Sequence, residues 1–343
     1  MSILAERLTA QLLAGPPATD PLAVAQRLLA IQAQDPRGAR LAIRARTAGL
    51  PPAAVDTALT DDRTLLITWL NRGTLHLVRS EDYPWLQALM APRLRTSNAT
   101  RLRQEGVSPE AADRGVAVIE RALANEGPLD RDRLRERIAA AGVRTQGQAL
   151  VHLLGLASIR GLIVRGPAVG GKYAFVLVRD WLGEPAPVDR DRALAELARR
   201  YLSGHGPASE GDLARWAGLP LRDARAGLRA IATELHECDD GLIDLKARAP
   251  AAPLPSPRLL GAFEPLILGW RSPPILGDAE PLIVSGGVFR PFALVRGRAV
   301  ATWSIARGKV DLQPFRPLGQ AEHEALATDA EDVARFLAGE PTP

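Results

Sequence analysis

This chain of 343 residues offers few side chains for covalent or metal chemistry. Its one cysteine, Cys238, excludes an intrachain disulfide framework and fits a reducing cytoplasm. Five histidines (His76, His152, His205, His236, His323) are scattered, with no CxxC or HExxH spacing, so neither a metal nor an organic cofactor is expected. Of 43 basic residues only Lys172, Lys246 and Lys309 are lysines, which leaves 40 arginines. Any Schiff-base chemistry would have to use the amine of one of those three or of the N-terminus. The arginines fit phosphate oxygens, because a guanidinium fork pairs with them. A GC-rich genome, whose codons favour Arg, Ala, Gly and Pro, also produces such a bias.

One polar pair lies in Ile31-Gln32-Ala33-Gln34-Asp35-Pro36. A glutamine amide accepts a hydrogen bond through its oxygen and donates through its nitrogen. It does not titrate, so such a pair can orient a water but not deprotonate it. Residues two apart sit about 200° apart on a helix. Gln32 and Gln34 can therefore face one site only where the chain is extended or turning. The expectation is a helix C-terminal end, with Pro36 and Gly38 breaking the helix beyond it. By residue type alone the two are ordinary polar residues at a helix end.

Charge is unevenly placed. Residues 91–165 carry 13 basic and 8 acidic groups, and residues 255–320 carry 8 and 4. The tail 321–343 carries 1 and 6. Two basic regions and an acidic tail point to a polyanion-facing surface. No apolar run approaches the roughly 18–20 residues of a membrane span, and no basic-then-apolar leader opens the chain. An apolar share of 46% excludes wholesale disorder. The expected location is the bacterial cytoplasm, beside the nucleoid.

The elements that must hold these groups follow one rhythm, three helices and then a hairpin. That rhythm is a helix-turn-helix with an added β wing. It is clearest in the middle. Val116, Ile119, Ala122 and Leu123 predict a first helix, broken at Gly127-Pro128. Asp130 caps a second helix through Leu134 and Ile138, and Thr145 caps a third through Leu150 to Ile159. Strands follow at 161–165 and 172–177, with the wing tip at Gly166-Pro167 and Gly170-Gly171. After a linker at 183–187, Ala193 to Tyr201 form the first helix of a third copy, ended by Gly204. Ser209 caps its second helix, and wing strands lie near 233–238 and 241–246. The first copy has helices at Leu4 to Leu12, at Pro21 to Ala33 and near 52–59. A hairpin from Leu65 to Leu77 then turns at Asn71-Arg72-Gly73. Beyond 255 the reading is β, at 267–270, 282–284, 292–295 and 300–303, with turns at Gly286-Gly287 and Arg296-Gly297-Arg298 and a closing helix over 321–339. The fold class is α+β: tandem winged helices at 1–110, 111–186 and 187–254, then a β-rich region at 255–343.

Several blocks carry a family resemblance. They are Ile31-Gln32-Ala33-Gln34-Asp35-Pro36, Thr68-Trp69-Leu70-Asn71-Arg72-Gly73-Thr74-Leu75-His76-Leu77-Val78, Gly206-Pro207-Ala208 through Leu219, and Leu260-Gly261-Ala262-Phe263-Glu264-Pro265 through Arg271 with Gly286-Gly287-Val288-Phe289-Arg290-Pro291. Their order and spacing resemble the AlkZ/YcaQ-type winged-helix DNA glycosylases from residue 4 to about residue 320. The resemblance implies hydrolysis of the N-glycosidic bond of bulky N7-alkylated purines in double-stranded DNA. It extends to unhooking of interstrand crosslinks, either in repair or in self-resistance to a DNA-alkylating product. It also implies that Gln32 and Gln34 match the catalytic Gln-x-Gln form of the AlkZ-like branch. Asp35 comes one residue too late for the Gln-x-Asp form, and Glu264 stands where an Asp is expected.

The chemistry is consistent with that implication. An N7-alkylguanine is cationic and leaves readily, so the enzyme needs a placed water and stabilisation of an oxocarbenium-like sugar. Scarce lysine argues for a monofunctional enzyme. Candidate DNA contacts are Arg72 and His76 on the first hairpin, Arg144, Gln146 and Gln148 at the third helix of the middle unit, Lys172 on its wing, and Arg271 and Arg290. His76 can equally be a hydrogen-bonded core residue. Trp270 and Trp303 read as core, and Phe289 as core or as a wedge between bases. The expected partner is DNA alone, met by a monomer. The rival reading is a non-catalytic winged-helix DNA-binding protein or transcription regulator.

Overall fold

The computed structural model describes residues 2–169, 172–184, 186–273, 275–276, 283–285 and 287–339. The expected wing-tip residues Gly170 and Gly171, the strand position Leu282 and the turn residue Gly286 lie outside them. The chain divides into two compact units. The first gathers Met1–Val55, Leu194–Trp216 and Pro220–Glu340, and the second holds Asp56–Ala193 and Ala217–Leu219.

In the second unit, Leu65–Leu70 pairs antiparallel with Thr74–Arg79. Asn71 (φ 51°) and Gly73 (φ 85°) make the turn, in the left-handed region that Asn and Gly tolerate. Leu65–Leu70 also pairs with Ile163–Val169, which pairs with Lys172–Leu177. Helices Pro109–Glu126, Arg131–Ala140 and Ala149–Ile159 precede that second hairpin, in the order expected. Asp130 caps the middle one, accepting from the Arg133 amide at 2.9 Å. Their apolar faces bury Val116, Ile119, Leu134, Ile138, Leu150 and Leu153 against Phe175.

Two local expectations need correction here. The third helix starts at Ala149, and Thr145 lies three residues short of its N-cap position, which Gln148 fills. The following strand starts at Ile163 and continues through Gly166 and Pro167, with a register shift between Arg165 and Ala168. That shift accommodates a proline, which cannot donate to the ladder. A 22-residue helix, Tyr83–Gln104, precedes the three and was not anticipated.

In the first unit, helices Ile3–Ala10, Pro21–Leu28 and Pro36–Arg44 are followed, much later in the chain, by an antiparallel sheet. Its order is Lys309–Pro314, Arg298–Ala306, Phe292–Val295, Arg258–Leu260. Arg296 (φ 49°) and Gly297 (φ 75°) form the anticipated turn. The closing helix runs over Gln320–Ala338. Between these segments, the Asp212 amide donates to Ser209 Oγ at 3.1 Å and the Ser209 amide donates to the Asp212 carboxylate at 3.0 Å, a capping box at the start of helix Glu210–Ala217. The short strands Leu235–Glu237 and Ile243–Leu245 pair as a hairpin. Helix Arg190–His205 runs past Gly204 rather than ending there. At Gly204 a side chain would press on the Arg27 carbonyl at 2.3 Å, so that glycine serves helix packing rather than termination. The segment expected as a strand at 267–270 is instead a helical turn, Pro265–Leu268, capped by Glu264 with Pro265 in its first turn.

Candidate active site

Helix Pro21–Leu28 stops where Leu29 turns to φ 65°, its amide still bonded to the Ala25 carbonyl. The next residues are extended, and Ile31–Gln32 is a two-residue strand. Helix Pro36–Arg44 then begins with Asp35 as N-cap, accepting from the Arg37 amide at 3.0 Å. The glutamine pair thus lies on an extended link between two helices, not at the C-terminal end of one. Pro36 opens the next helix, because a first-turn position needs no amide hydrogen.

On this link Gln32 Nε2 donates to Gln34 Oε1 at 2.8 Å. Gln32 is buried, at 6% exposure, and its Oε1 accepts no hydrogen bond from the protein. Gln34 is exposed. The bond therefore fixes the buried amide with its acceptor oxygen uncommitted, so that oxygen can take one more donor.

The helix that follows is clamped along its length. At Gly38 an added Cβ would lie 2.3 Å from the Ala262 carbonyl oxygen, so only glycine allows this approach. Arg44 binds Asp329 at 2.5 Å and Asp332 at 2.7 Å. Burial alone would lower the pKa of Arg44, but the hydrogen bonds to these two carboxylates raise it above its ordinary value. Just beyond the helix, Arg46 meets Glu264 at 2.5 Å, with both side chains fully buried. Arg46 also donates to the carbonyls of Gln11 (2.7 Å) and Ala42 (2.8 Å) and to Gln11 Oε1 (3.0 Å). Gln11 Nε2 in turn donates to the Gly204 carbonyl at 2.7 Å. Sequence reading missed Arg46 and Gln11, because their partners lie far along the chain. It named Glu264 without a partner.

The candidate DNA contacts fall on both units. On the second, Arg72 is exposed at the turn of the first hairpin. His76 is buried, with Nδ1 2.9 Å from the Thr74 carbonyl and Nε2 3.5 Å from Asn71 Nδ2. Burial pushes its pKa down to about 4, with the Arg72 charge adding to that, so its ring is neutral near pH 7. Arg144, Gln146 and Gln148 are exposed on the turn ahead of helix Ala149–Ile159. There the Gln148 amide donates to Glu105 at 3.0 Å. Lys172 is half exposed and pairs with Asp132 at 2.7 Å. On the first unit, Arg271 and Arg290 are exposed, and the Arg271 amide is held by Asp212 at 2.8 Å. Trp270 and Trp303 are core residues, donating to the carbonyls of His205 and Leu260. Phe289 packs on Phe263, with ring centroids 5.1 Å apart.

This mixed helix-and-sheet fold is that of a DNA glycosylase. The structure of Streptomyces sahachiroi DNA glycosylase AlkZ is similar with a TM-score of 0.79, over 99% of this chain and 97% of that one, at 26% identity. A relative named interstrand DNA cross-link repair glycosylase, from the same organism, is 29% identical over 93% of this chain and 92% of its own length. The sequence profile of the AlkZ-like DNA glycosylases matches residues 25–336, and the chain belongs to that family.

Proposed function

We propose that this DNA glycosylase hydrolyses the N-glycosidic bond of bulky N7-alkylated purines in duplex DNA, including purines tethered in interstrand crosslinks. The name of the Streptomyces sahachiroi cross-link repair relative supports the crosslink. In this reading the four segments 1–110, 111–186, 187–254 and 255–343 are three winged-helix units and a β-rich closing region, and the protein acts as a monomer. Arg72, Arg144, Gln146, Gln148, Arg271 and Arg290 face the DNA. Lys172 steadies the wing, and His76 holds the hairpin from inside.

The observation that carries this reading is the hydrogen bond from Gln32 Nε2 to Gln34 Oε1, which leaves a buried amide oxygen to accept from a water. That water attacks C1′ as the bond to the base nitrogen breaks. The bond electrons neutralise the cationic base, the water oxygen bonds to C1′, and the spare proton goes to solvent. The amide oxygen orients the water and places partial negative charge near the developing sugar cation. A neutral amide suffices because the cationic base needs no acid to leave. Incubation with duplex DNA bearing an N7-alkylguanine, followed by alkali, should cut the strand at the lesion. Unmodified duplex should remain whole.

A further inference from the structure

We infer that the helix Tyr83–Gln104 binds the DNA backbone along the two flanks of its exposed surface, with Arg93, Arg95, Arg101 and Arg103 as its phosphate contacts. This rests on the glycosylase reading for its partner and adds a surface to it. The 22 residues of this helix contain four arginines and no Asp or Glu. All four arginines are exposed. Arg101 bonds to Gln104 Oε1 at 3.1 Å and Arg103 to Thr100 Oγ1 at 3.1 Å, so their partners are neutral and their charge is not offset.

Several other exposed arginines carry acidic partners. Arg137 pairs with Glu126, Arg179 with Glu120, Arg225 with Glu210 and Arg335 with Asp332, all at 2.8 Å or less. A genomic preference for arginine would put arginines on this helix. It would not also strip the helix of carboxylates, of which the next two helices carry four and two.

The arginines lie in two rows. Arg93 with Arg101, and Arg95 with Arg103, are eight residues apart, about 12 Å along the axis and about 80° around it. The rows are about 200° apart, on the two flanks of the buried line Leu94, Asn98 and Leu102. Thr96, Ser97 and Thr100 are exposed on the same helix and can add hydroxyl contacts. Arg95 and Arg103 also edge a cleft of about 260 Å³ floored by Leu102, Val107 and Leu156. The third arginine of that rim, Arg160, is offset by Asp113 at 2.5 Å, so the two helix arginines supply its net charge.

The test is DNA affinity as a function of salt, between about 50 and 200 mM, on undamaged duplex. The quadruple variant Arg93→Gln, Arg95→Gln, Arg101→Gln, Arg103→Gln keeps good helix formers on an exposed face. Its plot of log affinity against log salt should flatten by about 2–4, and affinity near 100 mM should fall at least about tenfold. The matching Arg→Lys variant should retain the parent slope. A control that removes equal charge from paired sites, Arg137→Gln, Arg179→Gln, Arg225→Gln, Arg335→Gln, should change the slope by less than about 1. An unchanged slope in the helix variant, or an equal loss in the control, overturns the proposal and leaves the glycosylase reading standing. Adding carboxylates by Ser97→Glu and Thr100→Glu gives a second readout, a loss of affinity if phosphates sit there. A parent that shows no salt-dependent DNA binding would overturn both.

Discussion

Arg46 and Glu264, 218 positions apart in sequence, form an ion pair from which solvent is wholly excluded. It joins the end of the helix that follows the glutamine pair to the loop before Pro265–Leu268. Removing one partner of such a pair leaves a buried charge unpaired, at a cost of about 3–5 kcal/mol. Glu264→Ala should therefore lower unfolding stability by that amount in urea, while Glu264→Asp should lose less. A Glu264→Ala protein as stable as the parent would show that the pair has no structural role.

Gly38 sets how closely the same helix approaches Gly261 and Ala262. Gly38→Ala should push the helix away, destabilise by about 1–3 kcal/mol and slow base release, because the helix carries the glutamine link at its N-terminus. Serine at Gly49, where φ is +61° but no atom lies near the added carbon, should strain only the local backbone and leave the release rate unchanged.

His76 gives a pH dependence whose sign is fixed. Its pKa falls to about 4 in the folded protein, mainly through burial, against 6.5 for the free group. The unfolded chain therefore binds more protons between those values, and stability falls with pH in that window. The contribution is fully present above pH 6.5 and is lost as pH falls through 4, on the order of 2 kcal/mol between pH 7.5 and 4.5. Urea unfolding at those two pH values should show a smaller difference for His76→Gln than for the parent. His205 adds a similar term, since burial lowers its pKa to about 3.

Hydrolysis without an amine predicts that borohydride traps no covalent enzyme–DNA adduct. Lys172 is engaged by Asp132, and Lys246 donates to the Thr233 carbonyl at 3.0 Å. Neither glutamine titrates, so the single-turnover rate should be flat between about pH 6 and 9. A trapped adduct, or a steep rate profile in that range, would contradict hydrolysis by an amide-oriented water.

Local signals were legible where one residue type dictates one geometry. Asp130 as a cap, Asn71 and Gly73 as a left-handed turn, and the Ser209 box all stand where their side chains require. The long helix Tyr83–Gln104 carries two prolines, and no element was expected over it. Pro84 sits in the first turn, where no amide bond is needed, and Pro92 removes only one bond. The strand reading at 267–270 gave weight to apolar residues and overlooked Glu264-Pro265, a cap followed by a first-turn proline. At the candidate site the pair itself was visible, and so was its need for an extended chain. Its position between two helices was not, because that depends on Leu29 entering the left-handed region. Nor were its main supports, Gly38 against Ala262 and Arg46 with Glu264, which are contacts between residues more than 200 positions apart.

The most direct test of the central claim is single-turnover base release from an N7-alkylguanine duplex by Gln32→Ala, Gln34→Ala and the double variant. Each protein should fold, and each should bind undamaged DNA as the parent does. Loss of the oriented acceptor should slow release by about 10²–10³-fold in the Gln32 variant, with little further loss in the double variant, because the two amides act as one unit. A double variant that releases the base as fast as the parent would contradict the assignment of catalysis to this pair.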